Sequence, residues 1–286
     1  MTHEMKCDIL IAGASLGGVA AALTAAKLGK RVILSEETKW IGGQATTQGV
    51  PLDEHPWIER YGSSASYRDF RDGVRKYYRD HYPLSSSARA DRYLNPGAGW
   101  VSALGFEPRV GLAVLYQMLA PHLSNGLVHI LTGWTPSKAA VTGDRFDSVT
   151  FSNSTSDDSI EITAPYIIDA TELGDLLELG GVEHIIGAES QAMTGEPSAL
   201  EGDADPLKQQ GFTHLVAIDY LPGEDHIIAR PAGYDRWKSR FEKMLGSMPA
   251  GDDPVSTRMK CLFTSGMLSA IGSLQDPKAY ESSKIG

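Results

Sequence analysis

Asp8-Ile9-Leu10-Ile11-Ala12-Gly13-Ala14-Ser15-Leu16-Gly17-Gly18 sets the architecture expected for the whole chain. Residues 8–12 are a short apolar run with β-branched side chains, the pattern of a strand covered on both faces. Glycines follow at once, and Val19 to Leu28 is a small-residue, Ala-rich stretch that predicts helix. Gly29 supplies a helix stop, and Arg31-Val32-Ile33-Leu34-Ser35 predicts a second strand ending at Glu36-Glu37. The unit is β-turn-α-β, with the acidic Glu36 placed 23 positions after Gly13.

Each part of this unit has a physical purpose in holding a dinucleotide. A tight strand-to-helix turn asks for Gly13, and a pyrophosphate approaching amides at a helix N-terminus favours residues without bulk. Gly18 lets the helix pack closely on the strand. Glu36 stands where an acid accepts hydrogen bonds from ribose hydroxyls. The middle glycine of G-x-G-x-x-G is Ser15 here, able either to bond a phosphate or to crowd it. Three glycines alone also suit an ordinary crossover. Strand, helix and acid at these distances mark a nucleotide site.

At 286 residues the chain can form one large or two modest domains. A net charge of −10 argues against nucleic acid and anionic membrane as partners, since both repel it. The two cysteines, Cys7 and Cys261, are far apart and in no C-x-x-C, which fits a reducing, cytoplasmic setting and excludes a dithiol redox pair. Ile9 to Leu28 is long and apolar, yet its glycines and the strand that follows read against a membrane span or a leader.

Further along, Trp40 to Pro51 is a Gly/Thr/Gln loop, and Asp53-Glu54-His55-Pro56-Trp57-Ile58-Glu59 sets an aromatic anchor among charges. Tyr67 to Tyr82 predicts a helix with one buried stripe. Residues 84–109 read as a long excursion of the binding or lid kind, and Gly111 to Leu123 as a second apolar helix. From Leu127 short strands are expected at 128–132, 138–141, 148–152 and 160–163, a meander leading into a core strand at Tyr166-Ile167-Ile168-Asp169. A turn and short helix follow. Beyond Gly187 periodicity fades, with a strand expected at Thr213 to Tyr220 and a helix at Asp235 to Leu245.

Gly13 to Gly18, Glu36, Gly42-Gly43-Gln44, the segment from Asp53 to Glu59, and Asp169-Ala170-Thr171-Glu172-Leu173-Gly174-Asp175-Leu176 together resemble a family of FAD-dependent oxidoreductases. That family has the glutathione-reductase-like flavin fold and serves secondary and carbohydrate metabolism. The resemblance covers roughly residues 6–240. It implies an α/β fold: a Rossmann-like FAD/NAD(P)-binding domain with an inserted β-meander and an α+β substrate-side region. Residues 1–50 and 105–187 would form the FAD-binding domain, 51–104 an insertion over the flavin, and 188–286 a partial substrate or cap region. FAD is the implied cofactor. Gly13, Ser15 and Gly18 would surround its pyrophosphate, and Glu36 would hold the adenosine ribose. Gly42, Gly43 and Gln44 would run toward the flavin ring, Ala170 and Thr171 would close the far side, and Ala139 or Ala140 would meet the adenine. The resemblance departs at the C-terminus. Such folds take a last strand and helix with a Gly-Asp pair, relatives are longer, and Gly251-Asp252 has no such context. The chain is expected to be C-terminally shortened, holding FAD without that cap, weakly, or with a partner chain or second copy completing the site.

His55 is the candidate base for oxidising a carbinol, because imidazole titrates near working pH. It also reads as a loop histidine bonded to a neighbouring carboxylate. Arg109 is a candidate anchor for an anion or a plain helix-start arginine, and Glu172 and Asp175 suit a helix N-terminus. No His/Cys/carboxylate spacing indicates a metal. The expected activity is oxidation of a small hydroxylated metabolite, sugar-like, polyol or an intermediate of a kojic-acid-type pathway, by hydride transfer to flavin. A non-catalytic or partner-dependent remnant, a flavin monooxygenase and an NAD(P) dehydrogenase are the other readings. The Asp-Ala-Thr segment and the meander favour FAD over the last.

Overall fold

The structure, a computed structural model, describes residues 2–98, 102–211, 215, 221, 223–226 and 229–247. Most of the expected strand at 213–220, and Gly251-Asp252, lie outside the described residues. Two compact units are present: residues 1–82 with 91–215, and residues 83–90 with 216–286. In the second unit the described helices are Ser86–Ala90 (α3) and Tyr234–Ser247 (α7), the latter covering the helix expected from Asp235. The first unit contains everything that follows. It holds residues 51–82 and 91–104 together with the nucleotide-type sheet.

The opening unit forms as its sequence predicts. Ile9–Ala12 (β2), the helix Leu16–Lys27 (α1) and Val32–Glu36 (β3) are joined by the turn at Gly13 and Ala14. Ser15 caps α1, its hydroxyl accepting from the Gly18 amide at 3.3 Å. β3 is buried throughout, as a strand covered on both faces should be. β2 pairs in parallel with β3 and with Tyr166–Asp169 (β8), and β3 pairs in parallel with Val128–Thr132 (β4). The sheet order is β4-β3-β2-β8. The segment 128–132, expected as the first meander strand, is therefore an edge of the parallel sheet, because its backbone pairs with β3 from Val32 to Glu36.

The meander itself is a second four-stranded sheet, in the order Thr2–Lys6, Ser159–Thr163, Arg145–Asn153, Trp134–Thr142. Trp134–Thr142 (β5), Arg145–Asn153 (β6) and Ser159–Thr163 (β7) run antiparallel, and Thr2–Lys6 (β1) adds in parallel to β7. β1 has no apolar alternation to announce it; its pairing with β7 comes from tertiary placement. Leu10 and Ile33 from one sheet meet Val149, Phe151 and Ile162 from the other in one buried cluster, which also holds Cys7 and Leu176 of Asp175–Leu179 (α5). Burial pushes the Cys7 thiol pKa up, so it stays a protonated core side chain. The four residues Gln191–Thr194 form α6.

Ala65–His81 (α2) and Pro108–Ser124 (α4) pack on each other, and α4 also packs on α1. What ties residues 53–61 to α2 is ionic. Glu54 accepts from Arg71, from the Tyr67 hydroxyl at 2.6 Å and from the Ser102 hydroxyl at 2.9 Å. Glu59 accepts from Arg71 and from Arg75, the latter at 3.0 Å to Nη1. The side chains of Arg71, Glu54 and Arg75 are 2, 3 and 4 % exposed. Burial pulls the Glu59 carboxyl up, yet Arg75 and Arg71 outweigh it and hold the pKa below its ordinary value.

Removing one partner strands the others in a dry site. Arg71→Met is therefore expected to destabilise the chain by about 3–5 kcal/mol, read by urea denaturation, whereas Lys76→Ala in the exposed Lys76–Asp80 pair of α2 costs under about 1 kcal/mol.

Candidate dinucleotide site

The C-terminal ends of β2, β3 and β8 converge with the start of β5 around a cavity of about 350 Å³. Its lining includes Gly13, Ser15, Glu36, Ala170 and Thr171, which are five of the residues expected there. Gly13 has φ +92°, and a Cβ built on it would lie 2.3 Å from the Ala170 carbonyl oxygen. A Cβ on Gly18 would lie 2.1 Å from the Gly13 carbonyl oxygen and 3.3 Å from the Ala170 methyl. The spelling of the turn is thus a steric demand. The Ala170 amide completes the join, donating to the Ala12 carbonyl at 2.7 Å.

Glu36 is buried and fully oriented. One carboxylate oxygen accepts from the Ala14 amide at 3.1 Å, and the other accepts from the Thr38 amide at 2.9 Å and hydroxyl at 2.7 Å. A carboxylate has about four acceptor sites, so Glu36, which lines the cavity, keeps one for a hydroxyl donor. Asp169 organises the opposite wall: it accepts from the Thr171 amide at 3.0 Å and hydroxyl at 2.7 Å, and from the Leu176 amide at 3.0 Å. The Thr171 hydroxyl in turn accepts from the Asp175 amide at 2.8 Å, starting α5.

Gly42 and Gly43 follow β3 as a bend with positive φ, and Gly43 opens a single 3₁₀ turn through Ala45. The Gly42 amide donates to the Ala14 carbonyl at 2.7 Å, which holds the bend beside the first turn. Gln44 points away from the first cavity. Its side-chain amide donates to Asp53 at 2.9 Å and to the Pro51 carbonyl at 3.2 Å, and it lines a second cavity of about 350 Å³ with Leu16, Asp53, Ser64 and Tyr67.

Three expected residues stand elsewhere. Ala140 is exposed on the hairpin opposite Ser148, and β5 instead presents Trp134, Thr135 and Pro136 to the first cavity. The join of β4 to β5 at Gly133 decides this, and the run Gly133-Trp134-Thr135-Pro136 was the available signal. His55 lines neither cavity. Its Nδ1 accepts from the Trp57 amide at 3.2 Å, its ring stacks with Tyr61 at 6.4 Å, and it packs on Gly62. Arg109 is exposed in the first turn of α4.

The donor set fits a dinucleotide. A Cβ-free crossing at Gly13, the orphan amides of the first turn of α1 and an oriented acid at Glu36 form a cradle with room for a pyrophosphate and ribose. Its charge is unusual. Glu36, Glu37, Glu172, Asp175 and Glu178 line the cavity with no Lys or Arg among the lining residues. A Glu172 oxygen lies 2.9 Å from where a Cβ on Gly43 would be, close to Ser15. Burial, with Glu36, Asp175 and Glu172, raises the Glu37 pKa, and burial, with Asp169 and Glu178, raises that of Asp175. Among the described lining residues, backbone amides at the start of α1 are thus the groups that would meet a pyrophosphate.

Two outcomes follow. Glu36→Gln is expected to weaken FAD binding about tenfold or more, read by quenching of flavin fluorescence on titration, because charge-assisted bonds become neutral ones. The raised carboxyls bind more protons in the folded chain than in the unfolded one. The stability linked to them is therefore present at acid pH and falls as pH rises from the ordinary carboxylate values through the raised ones. Urea midpoints measured across that window should decline with pH less steeply in Glu37→Gln/Asp175→Asn.

Comparison of the sequence with curated proteins gives no match. Among solved structures, the chain is similar to the L-proline dehydrogenase of P. horikoshii at 17 % identity, over 60 % of this chain and 23 % of that one, with a TM-score of 0.33. It is similar to a geranylgeranyl bacteriochlorophyll reductase-like protein of Thermoplasma acidophilum at 16 % identity, covering 65 % and 45 % of the two chains, with a TM-score of 0.40. The glycerol-3-phosphate dehydrogenase of Bacillus halodurans, solved with FAD, matches at 15 % identity over 60 % and 36 %, with a TM-score of 0.39. The chain spans less than half the length of each of these three. The family model for FAD dependent oxidoreductase matches residues 8–267, which takes in the cradle, the second cavity and the Asp-Ala-Thr wall, and the chain belongs to that family.

Proposed function

We propose that the chain oxidises a small hydroxylated metabolite, sugar-like, polyol or an intermediate of secondary metabolism such as a kojic-acid-type pathway, in the cytoplasm. One observation carries this reading: the two cavities adjoin through consecutive residues. Ser15 lines the first and Leu16 the second, and Gly43, beside Ser15, is followed by Gln44 in the second. A dinucleotide seated at Gly13 and Glu36 and following Gly42, Gly43 and Gln44 leads from one to the other. Bound FAD supplies the hydride acceptor.

The second cavity suits such a substrate. Asp53, Ser64 and Tyr67 offer polar groups to hydroxyls, and Leu52 and Ile58 cover carbon. Gln44 is oriented by its two donated bonds, and its amide oxygen is left as an acceptor. Oxidation of a carbinol needs a group to take the hydroxyl proton. His55 is the proposed base, and it must release the Trp57 amide from Nδ1 to accept that proton. Asp53, beside Gln44 in the cavity, is the competing acceptor. A second copy or a partner chain completing the flavin site belongs to the same proposal. The acid-lined first cavity favours the other reading, a chain that holds flavin only with such a partner.

The visible spectrum of the purified chain and the cofactor released on denaturation separate these. A yellow protein with near-stoichiometric FAD, bleached anaerobically by a member of a polyol and sugar panel, supports the oxidase or dehydrogenase reading. A colourless chain that takes up no added FAD sinks it for this chain alone. In the active protein, His55→Ala is expected to lower kcat about 100-fold or more with flavin content unchanged. An unaffected kcat, with the loss appearing in Asp53→Asn, transfers the proton to Asp53.

A further inference from the structure

A third cavity, of about 380 Å³, shares no lining residue with the first. Ile58, Glu59 and Arg60 form one side, Arg68, Arg71, Asp72 and Arg75 of α2 the floor, and Arg92 with Tyr93 the other side. Five of the chain's 26 basic residues meet here, in a protein of net charge −10. Arg68, Arg71 or Asp72, and Arg75 recur at helical spacing, which puts them on one face of α2.

The arginines divide into two sets. Arg71 and Arg75 are buried and committed to Glu54 and Glu59, and Arg75 also donates through Nε to the Leu94 carbonyl at 3.0 Å. Arg60, Arg68 and Arg92 stand exposed around the opening. Arg68 spends one nitrogen on the Ser63 carbonyl at 3.1 Å. Among the described residues the guanidinium of Arg60 makes no hydrogen bond or ion pair, and that of Arg92 only lies over the Tyr93 ring, 5.3 Å from its centroid. Five guanidinium groups face three carboxylates, Glu54, Glu59 and Asp72, so two positive charges are in excess. Tyr93 lies under both Arg75 and Arg92, at 5.9 and 5.3 Å, and restrains the head group of Arg92.

We propose that this cavity is a binding site for a doubly charged oxyanion on a small organic ligand, either a phosphate ester or a dicarboxylate. Arg60, Arg68 and Arg92 donate to the oxyanion, and the buried pairs beneath hold Ile58-Glu59-Arg60 and α2 at the required spacing. Guanidinium forks match such oxygens in pairs. The site is separate from the flavin cradle and stands whether or not the proposed substrate is correct.

The test is calorimetric titration of the full chain with inorganic phosphate and, separately, with succinate, at low and at physiological salt. Saturable binding of at least one anion is expected, weakened about tenfold or more in Arg60→Ala/Arg92→Ala. Both positions are exposed, so the variant should keep its urea midpoint, and its titration with FAD should be unchanged. A preference for phosphate indicates a phosphate ester, and a preference for succinate a dicarboxylate. Absence of saturable binding by either anion overturns the proposal, and so does binding that the double variant leaves intact.

Discussion

The crossing of Gly13 over Ala170 is the contact on which the rest depends. Two strand ends from opposite parts of the chain, β2 and β8, must come close enough for the Ala170 amide to reach the Ala12 carbonyl at 2.7 Å. No side chain fits between them, since a Cβ on Gly13 would lie 2.3 Å from the Ala170 carbonyl oxygen. Once they meet, α1 starts beside the Asp-Ala-Thr wall, and Glu36 is brought under the same opening by its bond to Ala14. Cradle, wall and acid are consequences of one close approach.

Charge is distributed against expectation around that cradle. The cavity that would take an anionic pyrophosphate is lined with carboxylates, and the cavity rich in arginine lies elsewhere in the same unit. Backbone amides and the α1 dipole act at short range and need no side-chain cation, which is why the first arrangement is chemically workable. Arginine in the third cavity has a double duty. Two of the five are buried structural ties, and their carboxylate partners keep that burial tolerable. The other three are spare donors at the surface.

Much of this was legible in the residues because the signals are local. The strand-glycine-helix run, the acid at Glu36 and the Asp-Ala-Thr turn each lie within a few residues, and periodicity located α1, α2, α4 and β8 to within three residues. Local signals failed where pairing partners are distant. The segment 128–132 has the look of a meander strand, yet it joins β3, some ninety residues earlier, because the parallel edge was free to accept it. The resemblance put the adenine against the meander near Ala139 or Ala140. The chain turns at Gly133, so the large residues at the start of β5 face the cavity and the small ones lie out on the hairpin.

The sequence by itself determined the nucleotide-type βαβ unit, its acid and the family, because steric and hydrogen-bonding demands at a tight turn leave few residues to choose from. Tertiary structure alone decided which side chains share a cavity. Glu37 with Asp175, Arg60 with Arg92, and Gln44 with Tyr67 are neighbours only after strands and helices have packed. No spacing rule encodes such pairs, since the electrostatic balance of a cavity is a sum over elements far apart in the chain.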